Sequence, residues 1–484
     1  MQDSLLVLDF DARCASMVTR MLRGQQIFCR LMPGDTPAAE VAALAPKGVI
    51  VASRNDSDAD LARLDAAVLT LGVPVLVLGS LTEALCVREG GACMTSTNPQ
   101  TMVRFSTGCD ELLSGMEQGE RVMHGLNTLT LPPSLTPIAT ASERVIGFRS
   151  AVLPLYAIQY PIERNDPDGV QMLTNFATRI CGAQADWDEE HIIDAAVEAI
   201  SEAGEGGLVM CAVSGGVDSA VAAKLAHLAV GDRLVCVLID TGLFRDGECE
   251  HVIESYMESM GLVVAYVDAR DAFLRALSGV KNDRDKERIV SELLMHVMMK
   301  QRDFESGVRA LVRGTNFNDT LYGVKTEKDY SGLLGEKRLT VLDPLCDLFK
   351  NEVRQLARTL GLPASITERQ PFPSSGLALR VVGELTADKL NILRQADAIF
   401  MEEICAGGHE RKLWQYYATL YEHPEESGLI VVLRASQAAR HKAYAARLPY
   451  DLLERAVERI LDAIPQVKRV IYDLTPSRHY EQME

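Results

Sequence analysis

The segment Ser214-Gly215-Gly216-Val217-Asp218-Ser219 limits what this chain can fold into more than any other. It follows the apolar run Leu208-Val209-Met210-Cys211-Ala212-Val213, which predicts a parallel strand buried on both faces. It precedes Ala220 to Val230, whose alanines and leucines at helical spacing predict a helix. A Ser/Gly-rich turn between strand and helix gathers backbone N–H groups and the positive helix end in one concavity, which suits phosphate. The glycines allow close approach of the backbone, and Ser214 and Ser219 add hydroxyl donors. Asp218 is the odd member, because a carboxylate repels phosphate unless Mg²⁺ bridges the two. No Gly-Lys-Ser/Thr follows, so this is not the loop that releases a γ-phosphate. An ordinary glycine-rich turn is the bland alternative; the strand–turn–helix setting argues for a phosphate site.

A chain of 484 residues predicts roughly three domains of about 150 residues each. Its net charge of −18 speaks against a nucleic-acid partner while leaving room for a local basic pocket. The eleven cysteines are scattered, with no Cys-x-x-Cys pair, which suits reduced thiols better than disulfides or a zinc knuckle. Met1-Gln2-Asp3-Ser4 lacks the basic start of a signal peptide, and no apolar stretch is long enough to cross a bilayer. The expectation is a cytoplasmic protein with no membrane contact.

Three regions follow from the pattern. In residues 1–182 the apolar runs Leu5–Leu8, Gly48–Val51 and Val73–Leu78 alternate with helical stretches, predicting a parallel sheet. The second half of that region is richer in strands. Residues 187–373 hold the phosphate loop and further strands Leu234–Ile239, Leu262–Val267 and Ala310–Val312, predicting a second doubly wound sheet. Residues 374–484 mix helices (Asp388–Ile404, Leu448–Ile464) with strands and predict a small α+β domain.

Asp240 closes its strand and precedes Thr241-Gly242-Leu243-Phe244-Arg245, where it could touch a ribose or metal, or simply form the turn. Arg245 could meet a phosphate. Gly314 opens a similar turn after another strand, and Asp319 within it is either a metal-region ligand or a helix cap.

The order of these motifs resembles the ATP-pyrophosphatases, and among them the GMP synthetase family. The resembling segments include Ser214–Ser219, Asp240–Arg245, Asp283–Arg288, Asp343-Pro344-Leu345, Phe349–Arg354, Gln370-Pro371-Phe372-Pro373, Leu393–Asp397, Arg447–Asp451 and Arg469–Asp473. The resemblance implies a class I glutaminase-like domain, an adenine nucleotide α-hydrolase-like ATP-pyrophosphatase and a C-terminal dimerisation domain. It further implies adenylylation of XMP by ATP, amination, Mg²⁺ at Asp218, and Asp218, Ser219 and Asp319 in the chemistry. ATP would be held by Ser214 to Ser219, Asp240, Arg245 and Gly314. Arg380, Arg434 and Arg478 would clamp the acceptor, although Arg434 reads equally well as a salt bridge.

The sequence also departs from the family pattern. The glutaminase nucleophile position falls on Gly79 and the base position on Pro161, while the orienting carboxylate remains as Glu163. The family's oxyanion glycines are replaced around Ser53-Arg54-Asn55, and His124 matches a noncatalytic element. Cys86, about two turns past the elbow, is a candidate substitute nucleophile, although a thiol there would usually pack as core. The family's Gly-Pro-Gly turn reads Ser374-Ser375-Gly376, and its tail has become Thr475–Glu484. The expectation is a ligase that aminates a purine nucleotide with ammonia from solution or from a partner. Alternatives are a paralogue acting on another oxo-purine or carbonyl acceptor, and a noncatalytic nucleotide-binding homologue. A homodimer through the third region is expected. The stripe Leu448, Leu452, Leu453, Ala456 and Ile460 is either part of its interface or internal core.

Overall fold

The computed structural model describes residues 4–54, 57–95, 100–103, 111–116, 121–124, 126–141, 144–162, 166–304, 307–317, 319, 339–370, 372, 375–423, 428–439 and 442–475. They form two compact units, Met1–Ile192 and Ile193–Glu484.

In the first unit five strands lie parallel in the order Cys29–Pro33, Leu5–Asp9, Gly48–Ser53, Val75–Gly79 and Leu155–Ile158. Every residue of Gly48–Ser53 is buried, as expected for a parallel strand covered on both faces. The sheet continues through antiparallel strands Arg144–Ser150, Thr128–Thr130 and Ala92–Met94, matching the strand-rich second half of the sequence.

The second unit holds an all-parallel sheet in the order Val264–Asp268, Leu234–Asp240, Leu208–Val213, Val308–Val312 and Thr340–Leu342. The chain winds outward from Leu208–Val213 on one side and returns to its other side with Val308–Val312. The switch point therefore falls between those two strands, where a ligand crevice opens at the carboxyl ends. A further sheet pairs Gln415–Glu422, Leu429–Ala439 and Lys442–Ala445 antiparallel, with Val467–Tyr472 parallel to the second of these. The fold is α/β, with two doubly wound sheets and a smaller α+β part.

Helices Ala387–Ala406 and Tyr450–Ala463 supply Leu393, Phe400, Leu452, Ala456 and Ile460 to a core shared with Leu420, Val431 and Leu433 of the small sheet. That core runs on into Met210, Val237 and Leu311 of the parallel sheet, so the second and third regions of the sequence are packed as one body. The stripe offered as a dimer surface is internal: Leu452, Ala456 and Ile460 are fully buried, and Leu448 and Leu453 lean on the same core. The opposite face of the small sheet lines up Tyr417 with Arg434, Thr419 with Val432 and Ile471, and Tyr421 with Ile430 and Arg469. Tyr421 and Ile471 there keep 40% and 39% of their surface exposed. Among the described residues no helix is long and apolar enough to cross a membrane.

Because Ile460 is core, Ile460→Ala should destabilise the second unit by about 2–5 kcal/mol, the range for emptying a buried aliphatic site. Urea unfolding should show the lowered midpoint, and light scattering should return the wild-type mass. A changed mass in a stably folded variant would return the stripe to the surface.

Candidate active site

Strand Leu208–Val213 ends at Ser214, and the helix Val217–Val230 begins three residues later. Gly215 makes the reversal possible with φ +76°, and a Cβ there would come within 2.3 Å of Val252 and 2.5 Å of Arg369. Gly216 differs. Its backbone is extended, and a Cβ would meet nothing nearer than Ser214 Oγ at 3.6 Å. The protein leaves its side-chain space open, and a ligand could approach the backbone there. Gly216 caps the helix without a side chain, leaving the first N–H groups available to an anion. Gly314, at the neighbouring strand end, packs so closely that a Cβ would lie 2.6 Å from Ser219 N and 2.7 Å from Asp218 C. The switch point thus brings the two sequence-predicted segments together.

Ser219 corrects the expectation. Its hydroxyl accepts from Ser214 N at 3.2 Å, donates to Gly216 O at 3.0 Å and lies 3.3 Å from the Tyr256 hydroxyl. It is spent on holding the loop, not turned toward phosphate.

Asp218 is ion-paired to Lys350, and its other oxygen, Oδ1, is buried with no hydrogen-bond partner. Asp319 sits nearby, its Oδ2 accepting from Asn316 N at 3.0 Å while its own N–H donates to Asn316 Oδ1 at 3.2 Å, a reciprocal cap. Burial pushes the Asp319 carboxyl above the ordinary range, the carboxylates of Asp218 and Asp343 add to this, and Asn316 N–H and Lys350 oppose it. A divalent cation would relieve the crowded carboxylates and the orphaned oxygen. Among the described residues no three-residue group could hold a metal unaided. Asp218 and Asp319 fit an ion shared with substrate phosphates.

Two residues not singled out from sequence complete the loop. Arg369 donates to Gly215 O at 2.6 Å and pairs with Glu248, which in turn accepts from Arg245 N at 2.9 Å. Lys350 and Arg369 lie over a hundred positions from the loop in sequence. The available signal was that Lys350 lies inside the family-like segment Phe349–Arg354 and that Arg369 directly precedes the one that starts at Gln370.

Asp240 proves to be a turn residue. Its Oδ1 accepts from Gly242 N at 2.8 Å and its Oδ2 from the Tyr266 hydroxyl at 2.6 Å, with Arg270 Nε 3.7 Å away. The guanidinium of Arg245 faces Asp397 at 2.6 Å instead of the loop. Of the acceptor arginines, Arg380 is buried beside that same Asp397. Arg434 is committed to Asp473 at 3.1 Å and Thr475 O at 3.3 Å, which favours its salt-bridge reading. Arg478 lies outside the described residues.

At the expected elbow of the first unit, Gly79 has φ +84°, and a Cβ would lie 1.9 Å from Ser53 O. Ser80 Oγ is 3.0 Å from Ser53 Oγ, which donates to Asp60 at 2.6 Å. Pro161 follows the strand Leu155–Ile158, and Glu163 lies outside the described residues. Cys86 is buried with its thiol toward Thr130 O at 3.6 Å, and burial raises its pKa, so it is a core thiol.

A parallel sheet with this phosphate loop at its switch point, lacking a Walker lysine, defines an ATP-pyrophosphatase. A family model described as NAD synthase matches residues 190–401. The glutamine-hydrolyzing GMP synthase of Geobacillus kaustophilus (strain HTA426) is 34% identical over 506 residues, covering 98% of both chains. Those of Syntrophomonas wolfei subsp. wolfei and Carboxydothermus hydrogenoformans are 33% and 32% identical, each again over 98% of both chains. The chain belongs to the GMP synthase family and is an ATP-dependent amidoligase.

The two loop glycines should separate on substitution. Gly216→Ala should fold with wild-type stability and raise the KM for ATP about tenfold, because its methyl enters the ligand face. Gly314→Ala should lower the melting temperature as well, and cut ATP–pyrophosphate exchange by ~100-fold through displacement of the loop. Unchanged ATP affinity in Gly216→Ala would remove the loop from the site.

Proposed function

We propose that the chain activates the carbonyl oxygen of a purine nucleotide, XMP by default, with ATP and aminates it with ammonia that it does not generate itself. The single observation that carries this is the pairing of an open phosphate loop in the second unit with a blocked elbow in the first. The acceptor oxygen attacks the α-phosphorus of ATP, and the bond to pyrophosphate breaks. Ammonia then forms the C–N bond, loses a proton, and expels AMP with the acceptor oxygen. Val217 to Ser219 N–H groups would orient the phosphates. Asp218 and Asp319 would hold Mg²⁺, which when bound neutralises phosphate charge. Lys350 keeps Asp218 in place and adds positive charge at the same point.

Gly79 has no nucleophile, Pro161 no proton-accepting nitrogen, and Ser53 O occupies the space a side chain at position 79 would need. All described cysteines are free thiols, in keeping with a reducing cytoplasm. We assign homodimerisation to the open face of the small sheet, where Tyr421, Ile430 and Ile471 form an apolar surface. Light scattering near 53 kDa, the mass of one chain, would count against a dimer.

Ammonium salts should support product formation, with AMP and pyrophosphate released in equal amounts, and glutamine should give no glutamate above background. Asp218→Ala should lower turnover at least ~100-fold. Gly79→Cys should gain nothing, because its Cβ meets the Ser53 carbonyl and no base faces it. Release of glutamate in step with ATP use would overturn the blocked-elbow reading, and ADP as the main product would overturn the adenylylation.

A further inference from the structure

Lys350 stands where its own helix gives no reason for a cation. It is the first residue of the helix Lys350–Thr359, at the positive end of the helix dipole, where an acidic side chain is favoured and a basic one is not. Its ammonium group reaches across to Asp218, in the first turn of the helix Val217–Val230, and pairs with Oδ2 of that carboxylate. Asp218 is its one hydrogen-bond acceptor among the described residues. The other oxygen of Asp218, Oδ1, is buried without a partner. Both side chains are 18% exposed, so water screens the pair only in part.

The neighbouring carboxylates are differently held. Arg313 grips Asp343 with both edges of its guanidinium, Nε donating to Oδ1 at 2.9 Å and Nη2 pairing with Oδ2. Asp319 has its Oδ2 occupied by Asn316 N at 3.0 Å. Arg313 presents a planar fork to its partner, whereas Lys350 is a point charge on a flexible four-carbon stem. The backbone that carries Lys350 is fixed. Phe349 packs edge-on against Phe317 with ring centres 5.0 Å apart, Phe317 N donates to Leu348 O at 3.0 Å, and Phe349 N donates to Glu352 Oε2 at 2.7 Å. Val353 and Leu356 bury the inner face of the helix. A change of partner at Asp218 therefore needs only rotation of the Lys350 stem.

An ammonium group and a divalent ion compete for one carboxylate, since each offsets its charge and the two repel each other. Among the described residues no three side chains hold a metal unaided, and a carboxylate already neutralised by lysine holds one less well. A bound nucleotide supplies phosphate oxygens as the missing ligands, and negative charge that offsets the second cation. We propose that Lys350 stands in for the metal in the nucleotide-free protein, occupying Asp218 so that a divalent ion binds only together with ATP. This rests on the reading of Asp218 as a ligand of that ion. Lys350 is then a positioning residue that sets the order of binding.

The test uses the full chain without nucleotide, as wild type, Lys350→Met, Lys350→Gln, Asp218→Asn and the double variant Lys350→Met with Asp218→Asn. Mn²⁺ is titrated in while the free ion is followed by electron paramagnetic resonance, and each protein is melted with and without MgCl₂. Wild type should leave Mn²⁺ free, and Mg²⁺ should not move its melting temperature. Both Lys350 variants should melt lower, bind Mn²⁺ at least ~10-fold more tightly than wild type, and regain stability with Mg²⁺. The double variant should lose both responses. Equal Mn²⁺ binding by wild type and the Lys350 variants overturns the stand-in, as does a gain that survives Asp218→Asn. Lys350 variants that melt lower and are not rescued by Mg²⁺ have lost a structural ion pair only, and this too overturns it. Melts with α,β-methylene-ATP separate such a failure from failure of the ion reading. If Mg²⁺ with the analogue protects wild type and not Asp218→Asn, Asp218 remains a ligand and the stand-in alone falls. If both are protected equally, the ion reading falls with it.

Discussion

The nucleotide end of the second unit depends on the left-handed backbone of Gly215. With φ at +76° the chain leaves its strand, turns, and enters the next helix with its first N–H groups aimed outward. The same turn points the Gly215 carbonyl at Arg369, whose donation at 2.6 Å holds the loop from behind. Val252 fills the space where a side chain would go. Ser219, Ser214 and Tyr256 tie the loop from within. The loop is thus held in place by the protein itself, and an anion bound there would need little reorganisation of it.

Much of this was legible in the sequence, because strand, turn and helix are local and their signals sit side by side. The Leu208–Val213 run, the two glycines and the alanine-rich helix each state their own conformation. What was not legible depends on partners brought from far along the chain. Asp240 looked like a ligand because it closes a strand, yet Tyr266 and Gly242 claim both of its oxygens. Arg245 looked like a contact for the loop's phosphates, yet Asp397, over a hundred residues on, holds its guanidinium away from the loop. The helix Tyr450–Ala463 shows an apolar stripe whether it faces a partner or its own sheet, so periodicity cannot choose. The shared core with Leu420, Val431 and Leu433 chooses for it.

The order of the first unit's sheet does not rest on the residues at its elbow. What stabilises its sheet is the apolar content of Leu5–Asp9, Gly48–Ser53 and Val75–Gly79, none of which depends on a nucleophile. At the elbow the positive φ of Gly79 remains, while the end of Gly48–Ser53 closes over the place where a side chain would stand. Ser53, Ser80 and Asp60 satisfy one another there by hydrogen bonds. Polar groups that satisfy one another in this way cost the sheet little.

Charge in this chain is distributed against its average. The net charge is −18, yet the second unit gathers Lys350, Arg369, Arg245 and Arg380 around its nucleotide end. Each of the first three has one close carboxylate: Asp218 for Lys350, Glu248 for Arg369 and Asp397 for Arg245. Arg380 is the most deeply buried of the four, and it shares Asp397 with Arg245. A desolvated charge cannot rely on water for compensation, and its distance of 3.7 Å from Asp397 gives it only part of a shared counter-ion. Asp397 is committed first to Arg245 and Ala418, so Arg380 holds only a part of it, while the near end of this row of charges supports the phosphate loop.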